Sequence, residues 1–231
     1  MNLAKFLLNS AKAFPERPAV SLGTEIRHTY GALAQRVSSL AGALTTRFNL
    51  SPGARVAIAM NNCPEYAEVL SAIWHAGCTA VPVNAKLHAR EFAYILDQSG
   101  AQICFVSPEL ANLISPLINK VDELSDVVVA GDREYSDLLK GQCVEMREVS
   151  PEDVAWLFYT SGTTGHPKGA ELTHRNLLMM ICSYFADIDW ISERDCIVHG
   201  APMSHGSGLY SLPHLAKAAN QVFPEIGRAH V

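Results

Sequence analysis

Apolar positions recur along this chain at helical and strand spacings, and the spacing changes at turn residues. In the first segment Leu3, Phe6, Leu7 and Phe14 fall at helical spacing, and Pro15 and Pro18 end the pattern. Residues 19–22 and 26–30 flank Gly23-Thr24 and read as a hairpin. A helix follows over 32–48, where Leu33, Val37, Leu40, Ala41 and Leu44 recur at three and four. From Arg55 onward short apolar runs alternate with helical patterns. Strands are predicted over 55–60, 79–84, 102–106 and 127–130. Between them lie a helix opened by Pro64 and closed by Gly77, a second over 89–98 that turns Phe92, Ile95 and Leu96 inward, and a third from Pro108 to near Lys120. Strands alternating with helices at this spacing mean parallel strands joined by right-handed crossovers. The fold class is therefore α/β, with parallel-sheet layers and flanking helices. Residues 132–149 are more polar and less periodic, and read as a connection to the second half of the sheet system.

Composition narrows the classes. The chain has 231 residues, 48% of them hydrophobic, enough for a sizeable core. Its formal net charge of −5 comes with no basic run, which argues against a nucleic-acid or anionic-membrane surface. The expected partners are small molecules. Six cysteines (Cys63, Cys78, Cys104, Cys143, Cys182 and Cys196) are scattered without a C-x-x-C pair and read as buried, reduced thiols. No apolar run reaches membrane-spanning length, and the N-terminus has only a short apolar patch before it turns polar, so the expected location is cytoplasmic.

The chemistry concentrates after the apolar run 154–158. Residues 159–169 read YTSGTTGHPKG, with three glycines, the hydroxyls of Thr160, Ser161, Thr163 and Thr164, and Lys168. Glycines let backbone N–H groups approach a ligand closely, while hydroxyls and an ammonium add donors and a charge. Such a loop suits a polyphosphate. It is not the nucleotide P-loop, because Lys168 follows Pro167 and precedes Gly169 instead of standing in a Gly-Lys-Ser/Thr triplet. Nor is there a dinucleotide fingerprint: the turn after the strand at 55–60 reads Asn61-Asn62-Cys63-Pro64, without glycine. Residues 170–172 read as a strand and Thr173 as the cap of a helix over 175–186. The loop thus joins two strands, and its anion affinity rests on amides, hydroxyls and Lys168 and not on a helix dipole.

The ordered string 159–169 resembles the phosphate-loop signature of the adenylate-forming superfamily, which includes acyl-CoA synthetases, peptide-synthetase adenylation domains and luciferases. The stretch 74–84 also looks like a family segment. The resemblance implies that Thr160, Ser161, Gly162, Thr163, Thr164, Gly165 and Lys168 bind the β- and γ-phosphates of ATP, with Mg²⁺ bridging them, and that Lys168 serves catalysis.

A second constellation, residues 197–210 (IVHGAPMSHGSGLY), packs two histidines among small residues. His199 and His205 are too far apart for a helical metal pair and have no Cys or carboxylate between them, so no metal site is expected. His174 and His214 are isolated and read as surface or hydrogen-bonded core residues. Ser204-His205 fails as a hydrolase pair, because adjacent residues on an extended segment point to opposite faces. The G-x-S-x-G elbow is absent. By resemblance, His205 matches the family residue that lines the acyl pocket beside the carboxylate. Met203, Ser204 and His205 offer no aspartate for a substrate ammonium, which favours a fatty, aryl or other plain carboxylic acid over an α-amino acid.

What the resemblance implies is a ligase: the acid attacks the α-phosphate of ATP to give an acyl-adenylate, and the thiol of coenzyme A then displaces AMP. The family's adenine, ribose and catalytic-lysine segments have no counterpart here. Residues 1–224 are therefore expected to be a truncated N-terminal domain of the acyl-CoA synthetase-like fold, inactive alone. One DNA encoding of residues 226–231 matches a common sequencing-adapter string, so 225–231 are expected to be a non-native tail. Two alternatives remain beside this reading: a non-catalytic nucleotide-phosphate-binding module, and a phosphotransferase using Glu171 or Asp187.

Overall fold

The computed structural model describes residues 1–160 and 167–225. In chain order these form α1 (Lys5–Ala13), the hairpin β1 (Pro18–Leu22) and β2 (Glu25–Thr29), and α2 (Tyr30–Thr46). Then come β3 (Arg55–Ala59), α3 (Pro64–His75), β4 (Thr79–Pro82), α4 (Ala89–Ser99), β5 (Ala101–Val106), α5 (Pro108–Ile114), β6 (Asp126–Val129) and α6 (Arg133–Leu138). The chain continues through β7 (Val154–Thr160), β8 (Lys168–Thr173), α7 (His174–Asp187), β9 (Cys196–Val198), α8 (Gly206–Ala216) and β10 (Asn220–Phe223). Predicted punctuation holds: Gly23 turns the hairpin at φ +55°, and Gly77 ends α3 at φ +74°.

Among the described residues the strands make two sheets. The larger runs β6-β5-β3-β4-β7-β8, parallel except for its edge strand β8, which lies antiparallel on β7. The smaller runs β2-β1-β10-β9, so the N-terminal hairpin is extended by strands from the far end of the chain. Alternation along the large sheet feeds two cores. Val56, Ile58, Ala80, Ile103, Phe105 and Trp156 face a core shared with α2, α3, α8 and the small sheet. Ala57, Ala59, Val81, Val83, Cys104, Val106 and Leu157 face one closed by α4 and α5. Trp74 of α3 donates its indole N–H to Ala155 O at 2.7 Å and tilts against Trp156 at 6.2 Å, fixing β7 to the first core.

The structure departs from the sequence expectations in several places. The helix from Pro108 stops at Ile114, and a 3₁₀ turn (Ser115–Asn119) continues it, because Pro116 brings no N–H to an α-helical ladder. The connection 132–149 contains α6. Asp132 caps it by accepting from Tyr135 N at 2.8 Å, and Tyr135 Oη in turn donates to buried Glu68 at 2.8 Å. Phe14 is 40% exposed, not packed with the α1 face. Only part of the cysteine expectation holds: all six are free, but Cys143, Cys182 and Cys196 are exposed. Strand β10 and helix α8 go beyond the sequence reading altogether.

Candidate functional site

The carboxyl ends of β3, β4 and β7 share one edge of the large sheet, the edge at which parallel sheets receive ligands. The segments that follow β9 and β10 meet this edge. A cavity of about 220 Å³ is lined there by Met60 and Asn62 after β3, Asn84 and Lys86 after β4, and Gly200 and Ser204 after β9. A larger one, about 390 Å³, opens at the opposite edge among Arg55, Thr79, Asp153, Val154 and Glu171. Volume does not decide between them, because the loop chemistry lies at the first edge. Glu171 sits at the second edge, three residues along β8 from Lys168 and roughly 10 Å from it.

The hairpin β7–β8 presents the loop. Thr160 and Lys168 are directly opposed in its ladder, which puts their Cβ atoms about 5 Å apart. Both are exposed, and neither side chain has a hydrogen-bond or ion-pair partner among the described residues. A hydroxyl and an ammonium left open side by side are a donor set for phosphate oxygens. Ser161, Gly162, Thr163, Thr164 and Gly165 lie outside the described residues. One step inward, Tyr159 opposes Gly169, and a Cβ on Gly169 would stand 3.1 Å from the Tyr159 ring. The phenol donates to Gln98, and burial pushes its pKa up to about 12, so Tyr159 anchors the hairpin as a neutral group.

His205 arrives from the other side. Its ring lies against Phe158 with centroids 5.6 Å apart. Phe158 and Thr160 are two residues apart on the regular part of β7, so they share a face at about 7 Å. The structure thus brings His205 beside the foot of the loop. A turn at 202–205 overturns the expected divergence of Ser204 and His205: Ser204 Oγ lies 3.0 Å from His205 Nδ1. Among the described residues no carboxylate meets the other ring nitrogen, so the pair has no orienting third group. With Nδ1 engaged, Nε2 is the nitrogen left for a ligand.

His199, His174 and His214 are held by structural contacts. Gln221 Nε2 donates to Ser211 O at 3.4 Å, which leaves Gln221 Oε1 to accept from His199 Nε2–H at 3.0 Å. His199 Nδ1 then accepts from Ser207 Oγ at 2.8 Å, and burial lowers the pKa to about 4. His174 Nδ1 accepts from Leu3 N at 3.3 Å; burial, followed by the nearby N-terminal ammonium, lowers it to about 4. His214 gives Nδ1–H to Tyr210 O at 2.7 Å. In the first turn of α8, Gly208 leaves no room for a side chain: a Cβ there would fall 1.9 Å from Met203 O and 2.9 Å from the Trp156 ring. Sequence reasoning missed Phe158 and Asn62 as site-forming residues, since one looked like an ordinary strand apolar and the other like an ordinary turn.

A family model described as AMP-binding enzyme matches residues 7–229. Over 208 residues the chain is 35% identical to a feruloyl-CoA synthase from Amycolatopsis sp, covering 86% of this chain and 40% of that protein. Its fold superposes with a TM-score of 0.88 on a long-chain-fatty-acid–CoA ligase from Archaeoglobus fulgidus, at 25% identity, covering 96% of this chain and 46% of the other. With the inhibitor-bound N-terminal domain of FACL13 from Mycobacterium tuberculosis the TM-score is 0.86 at 26% identity, over 96% of this chain and 56% of that one. The chain spans about 40% of the length of the feruloyl-CoA synthase it matches.

Proposed function

The chain belongs to the AMP-binding enzyme family, and on that premise we propose that it forms part of a ligase that activates a fatty or aryl carboxylic acid with ATP and transfers the acyl group to coenzyme A. Residues 1–224 contribute to its N-terminal domain, a reading supported by the likeness to the FACL13 N-terminal domain. The observation that carries the proposal is the contact between His205 and Phe158, which sets the acid-binding candidate on the same strand face as Thr160 at the foot of the loop.

In the first half-reaction a carboxylate oxygen attacks the α-phosphorus and the bond to pyrophosphate breaks. Thr160 and Lys168, with the loop between them, hold the β- and γ-phosphates; Lys168 offsets the charge that grows on the departing pyrophosphate. Mg²⁺ accompanies ATP as the counter-ion of its phosphates. His205 Nε2 faces the acid while Ser204 and Phe158 fix the ring. In the second half-reaction the thiol sulfur of coenzyme A attacks the acyl carbon, the bond to AMP breaks, and the thiol proton is lost to solvent. This is catalysis by positioning and charge neutralisation. The absence of an acidic residue among Met203, Ser204 and His205 favours an acid without an α-ammonium.

The test is exchange of labelled pyrophosphate into ATP by the full-length natural protein. Exchange that requires a fatty or aryl acid and falls with Lys168→Ala supports the reading. ATP binding without acid-dependent exchange would instead identify a phosphate-binding module.

A further inference from the structure

The segment between β9 and α8 reaches the site as a strap with few backbone partners of its own, yet it must set His205 against Phe158. One side chain from a distant turn meets three of its backbone atoms. Asn62, after β3, donates through Nδ2 to His199 O at 2.8 Å and to Ala201 O at 2.7 Å, and its Oδ1 accepts from Met203 N at 2.9 Å. The orientation is unambiguous. A flipped amide would set its oxygen against two carbonyls and its NH₂ against an N–H, so all three contacts select one arrangement. Asn62 thereby spans the strap from its start to the residue before Ser204.

We infer that Asn62 is a positioning residue for the acid half of the site, holding the strap so that His205 stays on the β7 face beside Thr160 and Phe158. This rests on the ligase reading for its catalytic consequence, but the geometric part stands without it. The amide of Asn62 is engaged by backbone groups of the strap. It acts through the 199–205 backbone, and the amide is the group that can do so: aspartate at this position would turn a carboxylate oxygen toward two carbonyls, while leucine would fill the space and leave all three backbone groups unmet.

A double-mutant cycle and a ring signal test it in the full-length natural protein. In acid-dependent pyrophosphate exchange, Asn62→Ala should raise the KM for the acid about tenfold or more, the size expected for the loss of several hydrogen bonds. The KM for ATP should stay within about twofold. In a His205→Ala background the same substitution should add little, because the residue it positions is gone. Equal losses in both backgrounds would overturn the inference and leave the ligase reading intact. An unchanged acid KM in His205→Ala alone would overturn the role given to His205. Independently of activity, histidine-labelled NMR should show the His205 ring resonances shifting in Asn62→Asp, as the ring leaves Phe158, while those of His28 and His88 stay in place. An unmoved His205 signal in a folded variant would overturn the positioning role.

Discussion

The two halves of the candidate site are built in opposite ways. At the foot of the loop, Thr160 and Lys168 stand exposed at the end of a hairpin, and their side chains bond to nothing else among the described residues. At the strap, backbone and side chains are tied down: buried His199 bonds both Ser207 and Gln221, Asn62 bonds three backbone groups, and Gly208 sits where no Cβ fits. The difference fits the two tasks of the proposed reaction: open donors suit a flexible, highly charged chain of phosphates, whereas a surface tied in place suits an acid that has to be set at a fixed distance and angle.

That contrast predicts separable effects. Lys168→Ala should cost roughly 3–4 kcal/mol of transition-state stabilisation in pyrophosphate exchange, yet leave chemical denaturation within about 0.5 kcal/mol of wild type. A large loss of stability would show that Lys168 is structural. Gly208→Ala should do the reverse and destabilise folding by about 1–3 kcal/mol, because the new methyl must displace backbone at Met203 or the Trp156 ring. A neutral result would mean that the strap is looser than the contacts indicate.

A third prediction concerns pH. His174 and His199 have pKa values lowered from 6.5 to about 4, so below pH 6.5 the unfolded chain binds protons that the folded chain refuses. Stability should be flat in these two groups above pH 6.5 and fall as the pH drops toward 4, by at most about 1.4 kcal/mol per pH unit for each histidine. Denaturant titrations across that range measure the slope, and His199→Asn should remove the strap's share of it; an unchanged slope would contradict the neutral, buried His199. The smallest effect is expected for Thr160→Val. Its folding stability should stay within about 0.5 kcal/mol, with a loss of about 1 kcal/mol in tripolyphosphate affinity by calorimetry.

Local signals were legible in the sequence and long-range ones were not. The strand–helix alternation from Arg55 to Ala130 and the cap at Thr173 follow from spacing and from single residues, and both stand in the structure. The family resemblance could be read from the eleven-residue string 159–169 because its residues are contiguous. By contrast, α6 is anchored through Tyr135 on Glu68 of α3, and β10 finds its partner in β1, at the other end of the chain. Asn62 looks like a turn residue until its bonds to His199, Ala201 and Met203 are seen. Helix α8 was obscured by Gly206, Gly208 and Pro213, residues that normally punctuate helices; of these, Gly208 permits the close approach of Met203 and Trp156.

In the proposed reaction, loop and strap serve two different substrates. Acid-dependent pyrophosphate exchange by the full-length natural protein, measured with each substrate varied in turn, tests it most directly. Lys168→Ala should impair the use of ATP, while His205→Ala should raise the KM for the acid and leave that for ATP unchanged. If both variants shift the same substrate's KM, or if neither shifts any, the two segments do not form the site described.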